Sequence, residues 1–470
     1  MTDLLVTNGR VLTQNADREI IESGAVAVSG DRISAVGPAA ELKGSLDPAT
    51  VIDADGGAVI PGLINSHTHV SDILLRGSFA EDRGLYDWLI NVKQPGTTVM
   101  TPEEHALAAT LYCVEAIQSG TTTFVENATD VRWESLENTM AKLEVYDTFG
   151  IRNIYAAGFY DQPPDEGFRG LHAEFAARDP ATASPPPDEY TVDTETAVSG
   201  LESLIQSVHD PENRQSVWPS PVVLEATTTQ GLQEAVRIAE EYDVMTTTHV
   251  AESKLQEQGP LSSIDYLRNV GYLGERTLLG HCVQLSDRDV RVLARTDTRV
   301  AHNIRANMRL GTGFAPIVPM CESGVTVGCG TDNAILSDTV NPLSDARAVG
   351  TAHKGYHRDP GVISAQTAFD MVTRDGATAI GRSADLGSLE VGKRADLAIV
   401  DLDHPHLTPA PDPVKTLIYG LQGFEIETVV CSGEVLLDGR TIQPLDRDIA
   451  GLLGEVEETA AAIGSRAGLR

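Results

Sequence analysis

From residue 4 to about residue 60, apolar and polar positions alternate in short runs between turn residues: Leu4-Leu-Val-Thr before Asn8-Gly9, Ala25-Val-Ala-Val before Gly30-Asp31, then Ile33-Ser-Ala-Val and Val51-Ile-Asp-Ala. A period of two between Gly, Asn and Asp predicts short antiparallel strands joined by tight turns. The texture returns in Ala395-Asp-Leu-Ala-Ile-Val, Thr428-Val-Val-Cys-Ser-Gly and Glu434-Val-Leu-Leu-Asp-Gly. Two β-rich ends around a long middle predict one small β-sandwich domain built from residues 1–60 and 388–445.

The middle, residues 61–387, alternates strand-like with helix-like runs, which predicts an α/β fold. After the apolar run Ala58 to His69, the candidate strands are Thr121-Thr-Thr-Phe-Val, Arg152-Asn-Ile-Tyr-Ala-Ala, Val222-Val-Leu-Glu, Val244-Met-Thr-Thr-Thr-His, Thr277-Leu-Leu-Gly-His, Thr298-Arg-Val-Ala-His and Val325-Thr-Val-Gly-Cys-Gly-Thr-Asp. Eight strands over this length predict a (β/α)8 TIM barrel. Pro102 to Ser119 and Gln230 to Tyr242 carry helical apolar spacing. An insertion from about Asp161 to Asp193, rich in Pro, Ala and acid, reads as a long loop over one barrel end or as a surface insert. Residues 446–470 place Leu445, Ile449, Leu452, Leu453, Val456, Ala460 and Ile463 at helical spacing just before and along a predicted amphipathic C-terminal helix, packed on the body or on a second subunit.

Bulk properties narrow the classes. The chain is 41% hydrophobic without a run near the length of a membrane span, and its amino terminus lacks the basic and apolar regions of a signal peptide. Five cysteines, widely spaced and without Cys-x-x-Cys, predict reduced thiols in a cytoplasm. The formal net charge is -33, with seven Lys against 28 Arg and 68 acidic residues spread along the chain. Distributed acid with little Lys reads as a solvation strategy for high salt, where screening makes self-repulsion tolerable. Nucleic acid is not an expected partner, because phosphate contacts require a basic surface.

Candidate chemistry sits at strand ends. Alternation puts His67 and His69 on one side of an extended backbone with Thr68 on the other, and two imidazoles so placed can chelate a metal. His249 closes the fifth strand, His281 the sixth and Asp332 the eighth. Taken singly, each is more often a hydrogen-bonded core or rim residue; together, at the carboxyl ends of barrel strands, they point to one metal site. Glu252, three residues after His249, falls just beyond the strand end, within reach of a bound ring. A second His-x-His, His404 and His406 around Pro405, reads as a surface turn, and His353 and His357 as part of an exposed helix.

The motifs Pro61-Gly-Leu-Ile-Asn-Ser-His-Thr-His, Leu74-Leu-Arg-Gly, Gly120-Thr-Thr-Thr, His249-Val-Ala-Glu, Gly280-His-Cys-Val, Ala301-His-Asn, Gly330-Thr-Asp and Gly392-Lys-Arg-Ala-Asp-Leu, in this order, resemble the amidohydrolase superfamily. Within it, the chain is similar to the mononuclear-metal branch that holds adenosylhomocysteine/methylthioadenosine deaminases and chlorotriazine hydrolases. The resemblance implies that His67, His69, His249 and Asp332 hold one divalent ion, zinc with Fe2+ as the alternative, whose water becomes a hydroxide nucleophile near neutral pH. It further implies that His281 orients that water, Glu252 protonates a ring nitrogen, and Asp332 returns a proton to the leaving amine. The implied activity is deamination of an aminated nitrogen heterocycle, with expulsion of chloride or an alkylamine from a similar ring as the alternative and a non-catalytic paralogue as a third reading. A homodimer or higher homo-oligomer is implied by the same analogy.

The sequence departs from the nucleoside deaminases where substrate is held. Their Pro-x-Glu after the first helix is here Gln94-Pro-Gly-Thr97, their Gly-Pro-His-Ser is Leu224-Glu-Ala-Thr227, and their His-Cys-Val-His is His281-Cys-Val-Gln284. Trp88, Glu225, Gln284 and Asn303 are the substrate-pocket candidates, with Asn307 and Arg309 beside them. The bridging Lys of two-metal members is missing from the fourth strand; between His69 and His249 only Lys93 and Lys142 occur, in helix-like or loop segments. Glu225 could in principle bridge a second ion, but a pocket or structural role fits it better.

Overall fold

The computed structural model describes residues 2–78, 83–133, 135–162, 191–254 and 261–469, so most of the predicted insertion lies outside the described residues. Five strands open the chain: β1 (Thr2–Leu12), β2 (Ile20–Ser29), β3 (Arg32–Pro38), β4 (Pro48–Asp53) and β5 (Ala58–Pro61). Nine follow in the middle: β6 (Leu63–His69), β7 (Thr121–Ala128), β8 (Arg152–Phe159), β9 (Gln215–Pro221), β10 (Thr246–Val250), β11 (Thr277–His281), β12 (Arg299–His302), β13 (Val327–Cys329) and β14 (Asp332–Asn333). Four close the chain: β15 (Leu397–Val400), β16 (Ile426–Cys431), β17 (Glu434–Asp438) and β18 (Thr441–Ile442).

The middle strands form two sheets in which every neighbour is parallel, β14-β6-β7-β8-β9 and β10-β11-β12-β13. Parallel neighbours require crossovers, and the helices between the strands supply them. One is Pro102–Gln118, where Thr101 and Glu104 close a capping box and Pro102 takes the first helical position. It packs against the helix Glu137–Phe149 and buries Leu107, Tyr112 and Ile117. The α/β architecture thus follows from strand runs that are buried on both faces, as in β7 and β8, where all eight residues of each are buried.

Two strands differ from the sequence reading. The fourth middle strand runs over Gln215–Pro221, not over Val222 to Glu225. Pro219 and Pro221 mark that run as a poor strand by propensity, yet it pairs with β8 through all seven residues. Val223 then makes a single parallel bridge to His249, and Leu224–Ala226 form a 3-10 turn. The eighth strand is broken at Gly330-Thr331, so that β13 pairs with β12 and β14 with β6.

Both chain ends enter one nine-stranded sheet, ordered β18-β17-β16-β15-β5-β1-β2-β3 with β4 on β1. The seam between the ends is β5, parallel to β1 and antiparallel to β15. Val6, Val26, Val28, Ile33, Val59, Leu397, Ile399 and Val430 pack together on it. The C-terminal helix, Ile449–Arg466, is capped by Asp448 and buries Leu452 and Ile463 against the helix Pro102–Gln118 and the turn Ser71–Leu75, leaving Leu453 exposed. Among the described residues no helix is long and apolar enough to cross a membrane.

Candidate metal centre

The ends of β6, β10, β11 and β14 meet. Two overlapping triads, His67 with His69 and His249, and His67 with His281 and Asp332, each bring one ligand atom per residue within 4.8 Å of the others. Asp332 Oδ1 lies 3.4 Å from His69 Nε2 and 3.9 Å from His67 Nε2, and Oδ2 lies 4.0 Å from His281 Nε2. All five side chains are buried.

The backbone is bent to achieve this. Ala251, His281, Cys282 and Asp332 all have left-handed φ, between 50° and 68°. Such conformations cost non-glycine residues about 1–3 kcal/mol each and persist where the surroundings fix them, which is common at functional sites. Gly330 makes the close approach possible, because a Cβ there would stand 2.7 Å from the His67 Cβ and 2.4 Å from Asn303 Oδ1.

Hydrogen bonds set the tautomers. His69 Nδ1 donates to the Asn127 carbonyl at 2.6 Å and His249 Nδ1 to the Val222 carbonyl at 2.7 Å, so both present unprotonated Nε2 atoms. Those two atoms are 3.2 Å apart with no proton between them. Neither ring nitrogen of His67 has a hydrogen-bond partner among the described residues. Burial, reinforced by the neighbouring imidazoles, pushes His67 and His281 well below the usual histidine range; burial with Lys93 nearby does so for His69, and burial brings His249 to about 4. Neutral imidazoles with facing lone pairs repel one another unless a cation stands between them. Three imidazoles and a carboxylate are a donor set suited to a divalent ion with nitrogen and oxygen ligands, so the residues present fit one.

The remaining candidates divide by position. Glu252 Oε1 lies 3.5 Å from His281 Nδ1, and burial, with Asp332 and Glu225 adding to it, holds its carboxyl well above the usual range. Asp332 is raised to about 7, chiefly by burial. Asn307 Nδ2 donates to His281 Nδ1 at 3.0 Å, from behind the ring. A cleft opens over the centre, and Trp88, Glu225 and Glu252 line it with His69, His249, His281 and Asp332. Burial raises Glu225 to about 7, and the Tyr86 hydroxyl donates to it at 3.4 Å. Gln284 and Asn303 are not in the cleft wall: Gln284 donates to the Thr312 carbonyl at 2.6 Å, and Asn303 Nδ2 sits 3.4 Å from His281 Nε2, fully buried. The wall also holds Tyr86, Lys93, Gln94, Thr129 and Tyr160, which the sequence reading did not select for it. Trp88 Nε1 and Gln94 Oε1 have no hydrogen-bond partner among the described residues, which leaves a donor and an acceptor for a bound ring. A run of apolar and aromatic residues from Leu85 to Leu89 was the available signal for this wall.

Beneath β7 lies a buried ionic cluster. Lys142 Nζ reaches Glu126 Oε1 at 2.6 Å and Asp130 Oδ1 at 3.0 Å, Tyr146 donates to Glu126 at 2.7 Å, and His105 Nδ1 lies 3.0 Å from Asp130. Burial opposes the charge of Lys142, but Asp130 and Glu126 outweigh it and hold the ammonium well above its ordinary value. The cluster brackets Asn127, whose carbonyl orients His69. Lys142→Met removes the one ammonium that Glu126 and Asp130 share, leaving them only Tyr146, Ser71 and His105 among the described residues, and is expected to cost about 3–5 kcal/mol. Chemical denaturation of the metal-free protein measures this; a change below about 1 kcal/mol contradicts it.

His353 departs from the exposed reading: it is fully buried, with Nε2 3.2 Å from His302 Nε2, whereas His357 on the same helix is exposed. His404 and His406 pair with Asp401 and Glu425.

Comparisons with known proteins agree with this geometry. The family model described as "Amidohydrolase family" matches residues 58–436, and one described as "Imidazolonepropionase-like composite domain, bacteria" matches residues 24–44. The chain is 31% identical to an S-triazine hydrolase of Gordonia rubripertincta, over 100% of this chain and 98% of that protein. It is 32% identical to a 5-methylthioadenosine/S-adenosylhomocysteine deaminase of Nitratidesulfovibrio vulgaris, over 93% of each. Among solved structures it is similar to an adenosine deaminase from Xanthomonas campestris with bound zinc, at a TM-score of 0.85 and 26% identity over 99% of each chain. With most of its length matched by that family model and relatives alike over nearly their full extent, the chain belongs to the amidohydrolase family.

Proposed function

We propose that the protein is a metal-dependent aminohydrolase that replaces an exocyclic amine of a nitrogen heterocycle by oxygen and releases ammonia. The observation that carries this is the convergence of the His67, His69 and His281 imidazoles on Asp332, with His249 against His69 and the Glu252 carboxyl beside them. His67, His69, His249 and Asp332 are the residues that hold the ion, zinc by analogy with the similar zinc-bound adenosine deaminase and Fe2+ otherwise. When bound, a divalent ion supplies the Lewis acidity that brings the pKa of a water to about 7. Glu252, kept protonated by burial, donates to the ring nitrogen next to the attacked carbon. Asp332, whose carboxylate faces His67, His69 and His281, takes the proton of the attacking water and delivers it to the departing amine. His281, held by Asn307, positions that water between them. Trp88 and Glu225 bind the ring, and Asn303 steadies His281 from outside the cleft.

A second reading, expulsion of chloride or an alkylamine from a triazine-like ring, is favoured by the likeness to an S-triazine hydrolase. An ammonia-release assay over aminated purines, pterins, pyrimidines and triazines, run beside a chloride- and alkylamine-release assay on matched rings in high salt, separates the two. Ammonia from at least one ring is the expected result; chloride or alkylamine alone shifts the assignment to the second reading.

The same proposal extends to architecture. The bridge from Val223 to His249, the β14–β6 pairing and the short Gly330-Thr331 link support an eight-strand closure into a barrel over residues 61–387. The apolar face around Val26 and Ile399 supports a sandwich from residues 1–60 and 388–445, with the helix within 446–470 appended. A homodimer, in the cytoplasm, follows by analogy.

A further inference from the structure

The cleft wall contains one feature that the aminohydrolase chemistry does not use. Lys93 is buried and lines the cleft, and among the described residues it is the one Lys or Arg there. It closes the π-helical turn Leu89–Lys93, a wide turn of the kind that re-aims a side chain at functional sites. Its ammonium donates to Thr129 Oγ1, another cleft residue, and has no carboxylate at ion-pairing distance among the described residues. Asp72, Asp130 and Asp332 favour its charge from farther away, against the larger effect of burial. Asp72, the strongest of the three, is buried outside the cleft wall and beyond ion-pairing distance, Asp130 is already engaged by Lys142 and His105, and Asp332 belongs to the metal-ligand set. A buried lysine without an anionic partner is costly, and the donors left on Nζ are matched by an anion entering the cleft. The carboxyl groups of the cleft wall are turned to other partners: Glu225 accepts from the Tyr86 hydroxyl and Glu252 stands against His281.

We infer that Lys93 determines specificity by pairing with an oxyanion carried by the substrate ring, so that the preferred substrate is an aminated heterocycle bearing a carboxylate or an ionised ring oxo group. This rests on the reading of the cleft as a site for ring hydrolysis. A neutral nucleoside leaves the ammonium without an anion, and Gln94-Pro-Gly-Thr97 directly after Lys93 offers no carboxylate of its own.

Calorimetric titration of the metal-loaded protein tests this with matched probes: 6-carboxypterin, 5-carboxycytosine and an aminotriazine carboxylate, each beside its carboxamide. An aminotriazine with an ionised ring oxo group, set against its neutral O-methyl ether, covers the second source. Wild type is expected to bind the anionic member of at least one pair about tenfold to a hundredfold more tightly. Lys93→Met is expected to erase that ratio, and Lys93→Arg to keep most of it. An anion held by the metal alone would keep its advantage in Lys93→Met, and that result overturns the inference. Equal affinities within every pair, or no binding across the panel, overturn it as well. Ammonia release from neutral rings without charge preference would remove this inference and leave the hydrolase reading standing; a Lys93-dependent preference without ammonia release would do the reverse.

Discussion

Glu252→Gln is expected to lower kcat by about 10²–10⁴-fold while the protein retains its metal. The substitution keeps the size and hydrogen-bonding shape of the side chain but removes the acidic proton. Glu252 stands beside His281 without belonging to either metal triad, so the ligand set is untouched. The pH profile carries a second signature. Burial raises the Glu252 pKa, so the protonated, proton-donating form persists above the ordinary carboxyl range; activity that needs this proton falls as pH rises through the raised pKa. In Glu252→Gln the residual activity should lose that alkaline limb. Steady-state kinetics against pH, with metal content measured on the same samples, checks both, and a fully active Glu252→Gln protein excludes the proposed proton transfer.

His249→Ala is expected to remove the metal and with it all measurable turnover. The facing Nε2 atoms of His69 and His249 are the closest pair of donors in the centre, and the alanine variant leaves a gap between β10 and the rest of the set. Stability should respond too. An ion present at 1,000 times its dissociation constant stabilises the folded chain by about 4 kcal/mol, so wild type should melt at a lower temperature after chelation whereas His249→Ala should not respond. Elemental analysis and paired thermal melts with and without chelator decide the matter. A variant that keeps one ion per chain and its activity would show that the convergence of histidines has another purpose.

The centre was legible because its residues obey simple rules of parity and position. His67 and His69 share a face by strand alternation, and His249 near the end of β10, His281 at the end of β11 and Asp332 at the start of β14 meet them. What was not legible depends on burial that no period reports. Lys93 and Lys142 lie in helical segments of ordinary polarity, and nothing in their spacing says that both are buried. His353 and His357, four apart, look alike in sequence, yet only the first turns inward to meet His302. The fourth middle strand was displaced because Pro219 and Pro221 disfavour a ladder by propensity, while pairing with β8 overrides it. Gln284 was singled out by its neighbours in the motif, but the left-handed turn at His281-Cys282 carries it toward Thr312.

The seam at β5 has a consequence for how the protein is made. Only Gly62 separates β5 from the strand that carries His67 and His69, and β5 is flanked by β1 from the first residues of the chain and by β15 from beyond residue 390. A polypeptide emerging from the ribosome therefore lacks one flank of this support until β15, Leu397–Val400, has been made. Contacts of such long sequence separation form late, and segments awaiting them are exposed to misassembly in the meantime. Support for the site thus waits on residues well beyond its last ligand, and cutting the chain ahead of β15 is expected to disable it with His67, His69, His249 and Asp332 all still present.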